Sequence, residues 1–65
     1  MWTLYIMNKI FSTYTYKEFR SLPEAVDMKN KVISEDPTGI KTEIIAGTCS
    51  MRFIQAIEKA GYSKV

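Results

Sequence analysis

The sequence contains no histidine and only one cysteine, Cys49, among its 65 residues. Without histidine the common zinc-ligand sets cannot be assembled, and one cysteine cannot close an intramolecular disulfide. We therefore expect no metal, no cofactor and no structural disulfide, as in a protein of a reducing, cytoplasmic compartment. Histidine is also the side chain that most often moves protons in catalysis, so its absence argues against an enzyme.

A long hydrophobic run and a strong net charge are also missing. The apolar opening from Met1 to Met7 is broken by Asn8 and Lys9, so it is too short to span a membrane and lacks the features of a signal peptide. Nine Lys and Arg residues against seven Asp and Glu residues give a net charge of +2. This mild charge permits an anionic partner without favouring one. We expect no membrane association.

The length and composition are those of one small globular domain, covering residues 1–65. The chain is 46% hydrophobic and 25% charged, and a domain of this size buries only about 60% of the surface that its unfolded chain exposes. We therefore expect no deep active-site cleft. Strand-like sequence begins at Trp2, directly after Met1, which is expected of a free-standing small protein, although an excised domain would fit as well.

Two strands are predicted at the N-terminus. Residues 2–7 alternate, with Trp2, Leu4 and Ile6 on one face of an extended segment, which is the period of a β-strand. Asn8 and Lys9 are the expected hairpin turn because Asn tolerates positive φ, and a turn at Ser12–Thr13 is the alternative. The second strand continues to Lys17 or Phe19.

The next segment carries the start and stop of a helix. Ser21 is a suitable N-cap, Glu24 completes a capping box, and Pro23 falls in the first turn, where its missing N–H does no harm. The helix is therefore expected to begin at Leu22. The sequence Asp36-Pro37-Thr38-Gly39 matches a type I turn and ends it.

A third strand and a second helix complete the chain. Residues from Ile40 to Ala46 alternate in polarity, which predicts a strand. Either Thr48 or Ser50 then caps a helix, and Gly61 matches the left-handed residue that often ends one. Residues 63–65 are expected to fray.

These elements predict an α+β domain of order ββαβα. A right-handed crossover through the first helix places the third strand beside the first, giving a three-stranded antiparallel sheet in the order 2-1-3. We expect both helices to cover one face of this sheet. Trp2, Leu4 and Ile6 would face them, joined by Phe11 and Phe19 if the hairpin turn lies at Asn8 and Lys9.

Aromatic residues are concentrated in the predicted hairpin, which holds six of the eight in the chain. This is more than the core of so small a sheet requires, so some rings are expected on the uncovered face. Sheet aromatics beside basic residues suit protein interfaces and also the stacking of nucleic-acid bases. The expected partner-binding residues are Tyr5, Tyr14, Tyr16, Lys17 and Arg20.

No catalytic, cofactor-binding or metal-binding residue is predicted. Each acidic residue has a structural explanation on a strand face, a cap, an exposed helix surface or a turn. Cys49 lies near a predicted helix N-terminus without a visible activating partner, so we expect a small half-buried side chain. Lys29 interrupts the apolar stripe of the first helix and is expected to lie at its edge, with its stem packed and its ammonium in water.

The segment from Tyr16 to Val26, with Ser21-Leu22-Pro23-Glu24-Ala25 at the helix start, and the later stretch from Gly39 to Ile44 resemble small bacteriophage proteins of host takeover, including inhibitors of host RNA polymerase. The resemblance covers about half of the chain and carries over no contact residue. It implies a short protein that binds and blocks a host enzyme in the host cytoplasm.

The resulting hypothesis is a non-enzymatic protein-binding module that modulates a host protein through the exposed aromatic sheet face. A single-stranded nucleic-acid binder that uses the same residues is the alternative. The chain could be a monomer, or a homodimer closed by the open sheet face or an edge strand.

Overall fold

The structure is a computed structural model that describes residues 1–65. Its elements are β1 (Trp2–Asn8), β2 (Thr13–Phe19), α1 (Leu22–Glu35), β3 (Ile40–Ala46), α2 (Met51–Lys59) and β4 (Ser63–Lys64). The α+β class and the order of the first five elements are confirmed. The fourth strand was not predicted. Neither helix is long and apolar enough to cross a membrane.

The four strands form one mixed sheet in the order β3-β1-β2-β4. β1 pairs antiparallel with both β2 and β3, as predicted, and β4 pairs parallel with β2. The expected fraying of the C-terminus is wrong. Ser63 N donates to Ser12 O at 2.8 Å and Val65 N donates to Tyr14 O at 3.1 Å, so the last residues extend the sheet.

The β1–β2 turn consists of residues 9–12, and neither predicted position describes it. Asn8 ends β1, and its side-chain Oδ1 accepts hydrogen bonds from Ile10 N at 2.9 Å and Phe11 N at 3.0 Å. Ser12, with φ 54°, takes the left-handed conformation expected at Asn8. Phe11 is 74% exposed in this turn, so it does not join the core.

Hydroxyl side chains cap both helices. Ser21 Oγ accepts from Glu24 N at 3.5 Å, which confirms the predicted start of α1. At α2 the cap is Ser50 and not Thr48, since Ser50 Oγ accepts from Phe53 N at 3.3 Å. Each cap satisfies a backbone N–H that the helix leaves unpaired.

The two helices lie on opposite faces of the sheet, so the expectation that both cover one face is wrong. Leu4 and Tyr5 are neighbours in β1 and point to opposite faces, yet both are 0% exposed. Ile54 and Ile57 of α2 pack in one cluster with Tyr5. The contacts of α1 are with β1, β2 and β3, on the face that Leu4 shares.

The short strand β4 explains this arrangement. β2, β3 and β4 all run in the same direction, because β1 is antiparallel to β2 and β3 while β4 is parallel to β2. The crossover through α1 passes from β2 to β3, and the crossover through α2 returns across the sheet to β4. Two crossovers of the same hand that travel in opposite directions place their helices on opposite faces.

Candidate partner-binding groove

Two of the predicted binding residues are core residues. Tyr5 is 0% exposed and Tyr14 is 2% exposed, so the expectation that they lie on an uncovered face is wrong. Both belong to the cluster that Ile54 and Ile57 of α2 complete. Tyr5, Tyr14 and the partly buried Tyr16 of the hairpin contribute to the core beneath α2.

The hydroxyl groups of these two tyrosines hold α2 in place. Tyr14 OH donates to Glu58 Oε2 at 2.7 Å, and Tyr5 OH accepts from Ser50 N at 2.9 Å. The hydrogen bond to the Glu58 carboxylate, with desolvation of the phenol, raises the pKa of Tyr14 to about 12. Burial raises the pKa of Tyr5, an effect that the Ser50 N–H partly offsets. Buried phenols need such partners.

Tyr16 is half-buried beside them. Its ring centroid lies 6.0 Å from that of Tyr5, and Lys64 Nζ lies 5.1 Å from the Tyr16 centroid, within reach of a cation–π interaction. Hydrogen bonding with the Cys49 side chain raises the pKa of Tyr16. Glu18 Oε2 also accepts from Cys49 N at 2.8 Å, so β2 holds the chain just before α2.

The two basic residues of the predicted site lie elsewhere. Lys17 is exposed and follows Tyr16 in β2, so it points to the opposite face of the sheet. Arg20 is exposed beyond the end of that strand. The structure therefore does not bring the five predicted residues together on one surface.

A groove that was not predicted lies between α2 and the edge strand β3. Its volume is about 200 Å³. Six of its eight lining residues are hydrophobic, and the lining consists of Met7, Lys41, Glu43, Phe53, Ala56, Ile57, Ala60 and Tyr62. We call this surface the α2–β3 groove.

The walls of the groove are fixed by the core. Phe53 packs its ring 4.3 Å from the Tyr5 ring, with an angle of 49° between the planes. Tyr62 N donates to Ile57 O at 3.3 Å just after the left-handed Gly61, which places Tyr62 at the C-terminal end of α2. Ala56 and Ala60 are exposed, and their small side chains leave the groove open.

The size and lining of the groove indicate what it can hold. Small-molecule sites usually enclose about 300–1,000 Å³, which is more than the 200 Å³ found here. A dry apolar cavity of about 150 Å³ is sufficient for a benzene ring. The α2–β3 groove therefore suits a single aromatic or branched aliphatic side chain, with the charges of Lys41 and Glu43 beside it.

The β1–β2 turn carries two adjacent exposed apolar residues. Ile10 is 67% exposed and Phe11 is 74% exposed. The side chain of Ile10 reaches the α1–β3 turn, where its Cδ1 would lie 2.9 Å from a Cβ placed on Gly39. Neither Ile10 nor Phe11 lines a pocket.

The groove could not be predicted from the sequence because its apolar lining combines residues of α2 with Met7 of β1 and with Tyr62, which lies beyond the end of the helix. Phe53, Ile57 and Ala60 recur at helical spacing, a pattern that by itself indicates the core-facing stripe of a helix. The one indication in the sequence is the pair of alanines at positions 56 and 60, since two small residues one turn apart leave space beside a helix.

Comparison of the chain with protein-family models, curated proteins and solved structures finds no match.

Proposed function

We propose that this protein is a small non-enzymatic binding module that holds a large apolar side chain of a partner protein in the α2–β3 groove. One observation carries the proposal: an open groove of about 200 Å³ has six hydrophobic residues among the eight that line it. Binding hot spots of protein partners typically occupy apolar pockets that polar groups surround.

The chemistry of the groove favours a protein partner over a free metabolite. Its apolar floor offers few directional hydrogen-bonding groups to orient a small molecule. Lys41 and Glu43 are exposed beside the apolar surface, in the manner of the polar rim around an interface core. A bulky side chain from a partner would bury the apolar surface while its backbone and neighbours meet the rim.

Burial of the tyrosines weighs against the nucleic-acid alternative. Base stacking requires an exposed ring face, and Tyr5 and Tyr14 have almost no exposed surface. Action on a host enzyme and a location in the host cytoplasm stay predictions.

A peptide-display selection tests the proposal directly, because the groove itself selects the side chain that fits it. The immobilised chain is used to select random peptides, which we expect to share one bulky aromatic or aliphatic anchor. Ala56→Arg places a charged side chain in the groove. It should lower the affinity of the chain for these peptides by on the order of thirtyfold, which is the effect of losing a hot-spot contact.

Gln55→Arg is the matched control. Gln55 is exposed next to Ala56 on α2 and does not line the groove, so the same charge is added while the groove stays open. Peptide affinity should then stay within about twofold of the original, since an exposed charge changes binding little. Equal binding by the two variants, or selected peptides without an apolar anchor, would contradict the proposal.

A further inference from the structure

The strand β3 has a free edge along its whole length. It is the terminal strand of the sheet, with β1 on its only occupied side. The other edge is partly occupied, because β4 pairs with Thr13 and Tyr14 of β2. A regular edge strand is a template for pairing with another chain, and β3 contains no proline and no glycine that would interrupt it.

The hydrogen-bonding pattern shows which groups of β3 are free. Lys9 N donates to Gly39 O at 2.9 Å, and Gly47 N donates to Met1 O at 2.7 Å, at the two ends of the β1–β3 ladder. Since bonded residues alternate in an antiparallel ladder, the odd-numbered residues of β3 bond to β1. The backbone groups that point outward are those of Ile40, Thr42, Ile44 and Ala46.

The charges of β3 favour one particular partner. Lys41 and Glu43 lie on either side of Thr42, and both are exposed. When two copies of β3 pair antiparallel about a two-fold axis at Thr42, Lys41 of each copy faces Glu43 of the other. Shifting the axis to Lys41 or Glu43 would instead place like charges opposite each other, which destabilises a strand pair.

The same register also pairs the remaining residues of β3 favourably with those of the second copy. The outward-pointing backbone of Ile40 meets that of Ile44 in the second copy, and the two Thr42 residues meet at the axis. Ile40 and Ile44 are half-buried in the single chain and would gain apolar contact across the new strand pair. The charged pairs fall at the positions without backbone bonds, where side chains approach most closely.

We propose that the chain forms a homodimer through antiparallel pairing of β3 with β3 of a second copy, centred on Thr42. The pairing joins two four-stranded sheets into one continuous sheet. The pairing uses the backbone edge of β3 and no residue of α2, which packs on the sheet face. Lys41 and Glu43 also line the α2–β3 groove, but the pairing requires no ligand in that groove.

A charge-swap series measured by sedimentation equilibrium tests the dimer. The original chain should shift towards twice the monomer mass as its concentration rises. Lys41→Glu and Glu43→Lys should each weaken association by on the order of tenfold, because two attractive pairs become repulsive. The double variant, with Lys41→Glu and Glu43→Lys together, should recover the original affinity.

A cross-linking experiment checks the register and does not rely on charge. In a Cys49→Ser background, Thr42→Cys should form an intermolecular disulfide, since bonded residues of opposite strands lie about 5.5 Å apart at Cα. Lys31→Cys on the exposed surface of α1 is the control and should cross-link far more slowly. A purely monomeric chain, a double variant that stays as weak as the single ones, or equal cross-linking at both positions would overturn the proposal.

Discussion

The Tyr14 hydroxyl donates a hydrogen bond of 2.7 Å to the Glu58 carboxylate, joining β2 to α2. The tyrosine is 2% exposed, whereas Glu58 is an exposed residue of the helix. The bond therefore satisfies a buried phenol while its carboxylate partner keeps contact with water. It also fixes the helix over the rings that the sequence alone suggested would face solvent.

Replacing Tyr14 by phenylalanine should lower the free energy of unfolding by about 1–2 kcal/mol. The ring is retained, and only a hydrogen bond to a charged acceptor is lost, with Glu58 returning to water. Urea denaturation of both proteins at neutral pH measures the difference. Tyr16→Phe is a useful comparison, because the half-buried Tyr16 hydroxyl interacts with a thiol and should contribute less. A larger effect from Tyr16→Phe would contradict this assignment.

Stability should fall at alkaline pH because the fold favours the neutral phenol of Tyr14. Its pKa is raised from 10.0 to about 12, so between these values the unfolded chain binds fewer protons than the folded chain. The linked contribution is complete below about pH 10 and is lost as pH rises through about 12. When the free energy of unfolding is measured across this pH range, it should decline less steeply for Tyr14→Phe than for the original chain.

Glu58→Gln tests the cause of that decline. The amide keeps a hydrogen-bond acceptor but removes the carboxylate charge, so the pKa of Tyr14 should move back towards 10.0. Ultraviolet titration of the phenolate follows this change directly. Tyr5 and Tyr16 also have raised pKa values. They should account for the decline of stability with pH that remains in the Gln variant. An unchanged titration curve in the Gln variant would refute the role of Glu58.

Gly61→Ala should destabilise the protein by about 1 kcal/mol through the backbone alone. Gly61 has φ 105°, and nothing lies within 4 Å of a Cβ placed there, so no steric clash accompanies the change. A positive φ is unfavourable for residues with a side chain, and least so for Asn. In thermal unfolding, Gly61→Asn should therefore have a higher midpoint temperature than Gly61→Ala. Equal stability of all three proteins would contradict the expectation.

Removing the last three residues should lower the free energy of unfolding by about 1–3 kcal/mol. The truncation deletes the backbone bonds from Ser63 to Ser12 and from Val65 to Tyr14, each worth about 0.5–1.5 kcal/mol. Val65→Ala, which keeps the backbone, is the control and should change little, since Val65 is 83% exposed. Denaturant unfolding distinguishes the two, and similar losses in both variants would show that the strand pairing contributes nothing.

Local sequence patterns predicted the elements well because their causes are local. Ser21 and the following Pro23 and Glu24 fixed the start of α1, and the alternation of Ile40–Ala46 fixed β3. The prediction of the β1–β2 turn was wrong, although its causes are also local. Asn8 was expected to take the positive φ itself, but it stabilises the turn through its side chain and leaves the positive φ to Ser12.

The candidate groove could not be predicted because it depends on a non-local contact of the last residues. The β4 strand has only two residues, too few for any periodicity. Its pairing with β2 nevertheless decides which face α2 covers, and so whether Tyr5 and Tyr14 are exposed. Because α2 covers that face, the apolar surface that stays accessible beside it is the groove that Phe53 lines.

The central position of β1 also has a consequence for synthesis on the ribosome. The strand of this domain that emerges first is the one that pairs on both sides, while the outermost strand on one edge emerges last. A nascent chain that has reached the end of α1 can form the β1–β2 hairpin, but Tyr5 and Tyr14 stay uncovered until α2 has followed. The sheet of this domain is therefore completed only after β4 has left the exit tunnel, and the apolar face of the hairpin stays open until the last quarter of the chain has been made.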